Sequence, residues 1–232
     1  MLQRDLSEKE DVYIWADGIY FNVLLDDERM CILVIMGADE EGDKGLLTVN
    51  DGYRESPISW KETLLNLKRR GLHKGPRLSI ADGVLGYWVA LAEVFSESRE
   101  QWCWVHKTAN ILDKLPKSIQ SKAKAHIHNK MSRAENKQSA LAAYIHFVTA
   151  YKDKYPKAVA CHEKDKDALF TFYDFPAINW IHIRTTNPIG STFAKVRHWT
   201  KRTKGCGSRT ATLTMTFKLA LEAQKTWKKL RG

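Results

Sequence analysis

Two aspartates in this sequence sit where carboxylates can do chemistry. Trp15-Ala16-Asp17-Gly18 and Ile80-Ala81-Asp82-Gly83 each place an acid after an apolar run and before a glycine. If the two runs are neighbouring strands, both carboxylates project into one place. Hard oxygen ligands gathered there suit Mg²⁺ or Mn²⁺. Two such ions about 3.5–4 Å apart can clamp the attacking and leaving oxygens of a phosphodiester. A lone Asp-Gly more often makes only a turn, and for a pair at strand ends the turn and the metal site weigh about equally. A second constellation is Cys103 with His106, half of a zinc site that would need two more ligands. His126 and His128 lie downstream, but nothing in their spacing singles them out, so a structural or substrate-proximal role is preferred for Cys103 and His106.

The elements that must position these groups divide the chain into an α/β front and a helical back. Val12–Ala16 reads as a buried strand ending at Asp17-Gly18, Asp26-Asp27-Glu28 as a turn, and Cys31–Met36 and Leu46–Val49 as two further strands of an antiparallel meander. Ser59-Trp60-Lys61-Glu62 reads as a capping box opening a helix that Gly71 stops. Leu78–Ala81 is a short strand, a helix follows near Tyr87–Phe95, and Gln101–Trp104 is a fifth short strand. The order β-β-β-α-β-α-β is that of a ribonuclease-H-like mixed sheet. Residues 107–180 are helical with polar breaks and read as an insertion into the fold, after the core of residues 1–106. Residues 181–232 return to the core: Ile181–Arg184 extended, a helix capped by Asn187 with Pro188 at its first position, and a last amphipathic helix over Thr210–Leu230.

Composition narrows the class of protein. No uninterrupted run of 18 apolar residues exists, and Met1-Leu2-Gln3-Arg4-Asp5 is not a signal peptide, so no membrane partner is expected. Four dispersed cysteines (Cys31, Cys103, Cys161, Cys206) form no CxxC pair and suit a reducing cytoplasm. The net charge of +10 is unevenly spread: residues 1–60 hold 5 Lys/Arg against 14 Asp/Glu, whereas residues 184–232 hold 12 against 1. That asymmetry points to a polyanion at the C-terminal end, with a solvated basic face as the bland alternative.

Several ordered motifs resemble those of Mutator-type bacterial insertion-sequence transposases. Tyr13-Ile14-Trp15-Ala16-Asp17-Gly18-Ile19-Tyr20-Phe21-Asn22-Val23 is similar to that family's first-aspartate motif, and Asn50–Ser56 with Ser59-Trp60 to the segment that follows. Ile80–Gly86 resembles the second-aspartate motif, and Cys103-Trp104-Val105-His106-Lys107-Thr108-Ala109-Asn110 the family's Cys-x-x-His segment. Tyr173–Pro176 and Arg184-Thr185-Thr186-Asn187-Pro188-Ile189 resemble the run into the third motif, and Thr203–Arg209 the basic tail. The likeness covers essentially the whole chain. It implies a metal-binding DDE triad on a ribonuclease-H-like fold, acting in DNA strand cleavage and strand transfer. It also implies Mg²⁺ or Mn²⁺ as cofactor, element ends and target DNA as partners, and a DNA-associated, cytoplasmic bacterial homo-oligomer.

In that scheme Asp17 and Asp82 match the first two triad positions and are the expected metal ligands. The third should be a glutamate directly after Asn187-Pro188-Ile189, where this sequence has Gly190. Glycine supplies neither a ligand nor the capping-box partner that a third helical residue would provide. Glu93 and Glu222 are replacement acids only by elimination. Trp102 and Trp199 stand where the family generally has basic residues, and only 16 residues precede Asp17 where members carry a DNA-binding region, so the sequence reads as a truncated or impaired copy. Arg184, Lys195, Arg197, Lys201, Arg202, Lys204 and Arg209 are the expected DNA contacts. Trp102, Trp104 and Trp180 are expected in the core, and Trp199, inside a basic stretch, as a base-stacking candidate. Two functions compete: an active or nearly active transposase core, and a non-catalytic DNA-binding or oligomerising remnant that inhibits transposition.

Overall fold

A run of nine residues, Met30-Cys31-Ile32-Leu33-Val34-Ile35-Met36-Gly37-Ala38, contains no polar side chain and forms strand β2, buried along its whole length. It pairs antiparallel with β1 (Tyr13–Phe21) on one side and β3 (Lys44–Gly52) on the other. β1 pairs parallel with β4 (Leu78–Ala81), and β5 (Arg99–Trp102) completes a five-stranded sheet in the order β3-β2-β1-β4-β5. The parallel pair needs a crossover, which α1 (Pro57–Arg69) supplies, and α2 (Leu85–Val94) joins β4 to β5. The computed structural model describes residues 4–23, 29–52, 54–83, 85–202 and 208–230, without the side chains of 85 and 195–202.

The chain divides into two compact units, residues 1–100 with 186–232, and residues 101–185. In the first, α1 and α10 (Arg209–Gln224) pack on β3, and α9 (Asn187–Arg202) packs on β1 and α10. Trp60 of α1 is fully buried and meets the Tyr87 ring of α2 edge-on at 4.9 Å, a contact worth roughly 0.5–1.5 kcal/mol beyond its buried area. The second unit is helical: α3 (Trp104–Leu112), α4 (Lys117–His126) running into a π-helical turn (Ile127–Met131), α5 (Lys137–Tyr151), α6 (Pro156–Glu163), α7 (Lys166–Leu169) and α8 (Trp180–Ile183). Among the described residues no helix is long and apolar enough to cross a membrane.

The structure departs from the sequence expectation at several boundaries. β1 does not stop at Asp17-Gly18 but continues to Phe21, because β2 offers paired partners throughout. Ser56, not Ser59, caps α1: its hydroxyl accepts from the Ser59 amide at 3.1 Å, and Pro57 takes the first turn. Gly71 follows α1 with φ +107, as a helix stop requires. β5 lies two residues earlier than Gln101–Trp104, leaving Cys103 to cap α3. Ile181–Ile183, expected to be extended, is helical, since the Arg184 amide closes onto Trp180 and the Trp180 indole donates to the Phe175 carbonyl at 2.7 Å. The last helix ends at Gln224 rather than Leu230. The Asp26-Asp27-Glu28 turn lies outside the described residues.

Two buried titratable groups shape the pH response in opposite senses. Asp11 lies against Gly37 with neither oxygen hydrogen-bonded, and burial pushes its carboxyl up to about 6. Its neutral form is favoured in the fold, so this contribution is full below 3.8 and is lost as pH rises through about 6. His162 lies among Trp104, Tyr144 and Phe147 with both ring nitrogens unpartnered, and burial lowers it from 6.5 to about 3. The unfolded chain takes that proton first, so stability falls as pH drops from 6.5 towards 3. Asp11→Asn is expected to stabilise the protein above pH 6 and not below pH 4, and His162→Leu to flatten the acid limb. Urea midpoints measured from pH 3 to 8 check both, and parallel profiles for wild type and variants would refute them.

Candidate active site

Parallel pairing of β1 with β4 decides where the two aspartates lie. The rungs are Tyr13↔Leu78, Ile14↔Ser79 and Trp15↔Ile80, so Asp17 and Asp82 each stand two residues beyond the last rung. Paired strands lie about 4.8 Å apart, and both acids therefore lie just past the carboxyl end of the parallel β1–β4 pairing, Asp17 within β1 and Asp82 directly after β4, the side on which open α/β sheets place ligands. Asp17 is held on the sheet opposite Val34, while Asp82 is the first residue after β4. Both are partly exposed.

The start of α2 fixes the Asp82 backbone. The Trp88 indole donates to the Asp82 carbonyl at 2.9 Å, and the Tyr87 hydroxyl hydrogen-bonds the Ser79 hydroxyl of β4. Both rings are buried, and burial raises the Tyr87 phenol. Gly86 is required by close approach: a Cβ there would lie 2.5 Å from the Glu55 carbonyl oxygen and 2.9 Å from the Pro57 nitrogen. The glycine at the end of the second-aspartate motif thus lets α2 and the start of α1 touch backbone to backbone.

Glu55 is an acid that sequence reasoning missed. A Cβ on Gly18 would sit 2.3 Å from its Cδ and Oε1, so its carboxyl group occupies the space beside the residue after Asp17. Cys31, on β2 opposite Tyr20, has its thiol pushed up to about 12, first by burial and then by the charges of Glu55, Asp51 and Asp17. The only sequence signal was its place in the Asn50–Ser56 segment. Nevertheless, among the described residues no three His, Cys, Asp or Glu side chains converge as a metal cluster.

Gly190 lies in the first turn of α9, the helix that packs on β1. The Ile189 and Gly190 amides both donate to the Thr186 carbonyl, at 3.0 and 3.1 Å. Thr186 rather than Asn187 therefore occupies the cap position, and Gly190 is the fourth helical residue, not the third. The helix begins one residue early because Asn187 already takes helical geometry ahead of Pro188. A Cβ on Gly190 would meet nothing within 4 Å. Of the replacement acids, Glu93 pairs with Lys61 at 2.5 Å and Glu222 with Lys225 at 2.7 Å.

The model of the Mutator family of transposases matches residues 2–230. The chain belongs to that family. It is 54% identical over 202 residues to the transposase of insertion sequence element IST2 of Acidithiobacillus ferrooxidans, covering 87% of this chain and 68% of that protein. It is 49% identical to the transposase of IS6120 of Mycolicibacterium smegmatis, over 97% of this chain and 69% of that protein. The transposase of IS905 of Lactococcus lactis is 27% identical over 86% of the chain.

The remaining family motifs fall within residues 101–185 or on the basic tail. Cys103 is buried and outside any disulfide at the start of α3, and His106 is partly buried one turn on. This Mutator segment is tied down by its neighbours: the Trp104 indole and the Gln101 side-chain amide both donate to the Leu169 carbonyl, at 2.8 and 3.0 Å, and the Phe172 amide donates to Gln101 Oε1 at 2.7 Å. Arg184, expected on DNA, is partly buried and donates through Nη1 to the Ser132 carbonyl at 2.6 Å. Arg209 forms a two-pronged contact with Asp51, at 2.7 and 3.2 Å. Lys195, Arg197, Trp199, Lys201 and Arg202 lie on α9 with side chains outside the described residues, and Lys204 lies outside them altogether.

Proposed function

We propose that this chain is an insertion-sequence transposase core with a ribonuclease-H-like sheet and a helical insertion, acting on DNA through a DDE-type site that lacks its third carboxylate. The observation that carries the reading is the β1–β4 register, which sets Asp17 and Asp82 at matching positions on adjacent parallel strands. Such a pair suits one Mg²⁺ or Mn²⁺, since these ions are commonly held by one or two carboxylates with the rest of the shell left to water and phosphate. When bound, the ion would supply charge stabilisation to a phosphodiester oxygen. Asp17 and Asp82 hold and orient; the Trp88 contact keeps the Asp82 backbone fixed and the Tyr87 contact ties α2 to Ser79 of β4, as a ligand-bearing segment requires. With glycine at 190 the chain keeps the first part of the site and loses the last.

A second reading, a non-catalytic remnant that binds DNA and inhibits transposition, draws support from Gly190 alone. Calorimetric titration with Mn²⁺ separates the site from a fortuitous pair of turns. Wild type is expected to bind one ion, and Asp17→Asn or Asp82→Asn each to weaken it at least about tenfold, the scale on which metal sites respond to altered partners. Equal affinity in all three proteins would refute the metal reading. DNA nicking assayed on supercoiled plasmid then distinguishes core from remnant.

A further inference from the structure

Between Asp113 and Glu135 the sequence carries six Lys or Arg and no acid: Lys114, Lys117, Lys122, Lys124, Lys130 and Arg133. Four of the six lie on α4 and the π turn that extends it, with Lys114 just before this segment and Arg133 just after it. Ala123, Ile127 and Met131 form its buried side, while all six basic residues are exposed. Lys117, Ser121, Lys124 and His128 recur at three- and four-residue intervals and so share one exposed face.

Two further features set this face apart from an ordinary solvated helix. Some exposed cations elsewhere meet carboxylates: Lys61 with Glu93, Lys74 with Glu10, Arg77 with Glu40, and Lys137 with Asp174. No ion pair among the described residues reaches any of the six. Two of the six have like-charged neighbours, since Arg133 acts on Arg184 and Lys130 on His126, each adding to the lowering that burial causes. The π turn is also clamped in place. Tyr173 donates its hydroxyl to the Met131 carbonyl at 2.5 Å, Arg184 donates to Ser132, and the Ser132 hydroxyl donates to the His128 carbonyl at 3.1 Å. π turns within helices are frequent at functional sites. A fixed, unneutralised cationic face matches a regular array of phosphates.

We propose that the exposed face of α4 and the π turn is a docking surface for the phosphate backbone of duplex DNA, additional to the basic C-terminal segment. The proposal rests on the transposase reading and goes beyond it by naming a second footprint, in residues 101–185. Contacts of this kind position a duplex and do not read its sequence.

The test is fluorescence anisotropy of a labelled 30-base-pair duplex with the full chain across a salt series. Lys117→Gln, Lys122→Gln, Lys124→Gln and Lys130→Gln are combined in one variant, and Lys201→Gln, Arg202→Gln and Lys204→Gln in another. Each phosphate contact adds about 0.9 to the slope of log affinity on log salt. The α4 variant is expected to reduce that slope by roughly 2–4 while its circular dichroism matches wild type. An unchanged slope for the α4 variant beside a flattened one for the C-terminal variant overturns the proposal and leaves the transposase reading standing. Wild type that binds no duplex even at low salt overturns both. If the α4 variant instead abolishes self-association in sedimentation without altering DNA affinity, the face is an interface with the acidic N-terminal portion of a second copy, and the proposal falls.

Discussion

Gly190→Glu is expected to tighten Mn²⁺ or Mg²⁺ binding by about ten- to a hundredfold, the range by which metal sites respond to gained or lost support. Space is no obstacle, because a Cβ at 190 meets nothing within 4 Å. The helix should gain as well. Glycine costs about 1 kcal/mol against alanine in a helix interior, and a carboxylate in the first turn gains roughly 0.3–1 kcal/mol from the helix dipole. No capping-box hydrogen bond adds to this, since Thr186 rather than Asn187 occupies the cap and residue 190 falls beyond the capping-box position. The gain should therefore appear as a higher melting temperature without metal. A further rise with metal should follow from binding to the native state. The unmodified chain is expected to show no Mg²⁺-dependent strand transfer, because positioning and charge are most of what phosphoryl transfer asks of a protein. If the variant changes neither metal affinity nor melting temperature, position 190 does not face the aspartate pair.

Replacing Asp165 by leucine should cost about 3–5 kcal/mol, the penalty for stranding one member of a buried ion pair. Lys107 of α3 and Asp165 at the start of α7 form such a pair, with only 5% and 8% of their side chains exposed. The ammonium also lies 5.4 Å from the centre of the Trp102 ring. Lys107→Met strands the carboxylate instead and should cost a similar amount. The double variant should recover most of the loss, because apolar residues of similar volume commonly replace a buried pair at little cost. Chemical denaturation of the four proteins gives the coupling energy directly. Single variants within about 0.5 kcal/mol of wild type would show that the pair is solvated in practice. The outcome bears on function because Lys107 belongs to the Cys103–Asn110 motif, whose role would then be to seat α3.

The strands were readable because their chemistry is local. Met30–Ala38 has no polar side chain, so it has nowhere to be but inside a sheet, and Leu78–Ala81 before Asp82-Gly83 announces a short strand with an exposed end. Ile181–Ile183 misled for the converse reason. Its β-branched residues favour extension, but the Trp180 indole and the Arg184 amide find partners only in a helical turn. The capping-box reading at Ser59 failed because Ser56, just ahead of Pro57, made the better cap.

The sequence by itself determined the family, and it put Asp17 and Asp82 each after an apolar run and Gly190 after Asn187-Pro188-Ile189, since each is a matter of residue type in order along the chain. Tertiary structure alone decided that β1 and β4 are parallel neighbours, which is what gives Asp17 and Asp82 matching positions. It also seated the Glu55 carboxyl beside Gly18, bound the Arg184 guanidinium to a backbone carbonyl, and left the α4 lysines without an ion pair among the described residues. The physical reason is range. Hydrophobic period and capping act over a few residues, whereas pairing register, burial and charge neutralisation depend on groups that only the folded chain brings within a few ångströms of one another.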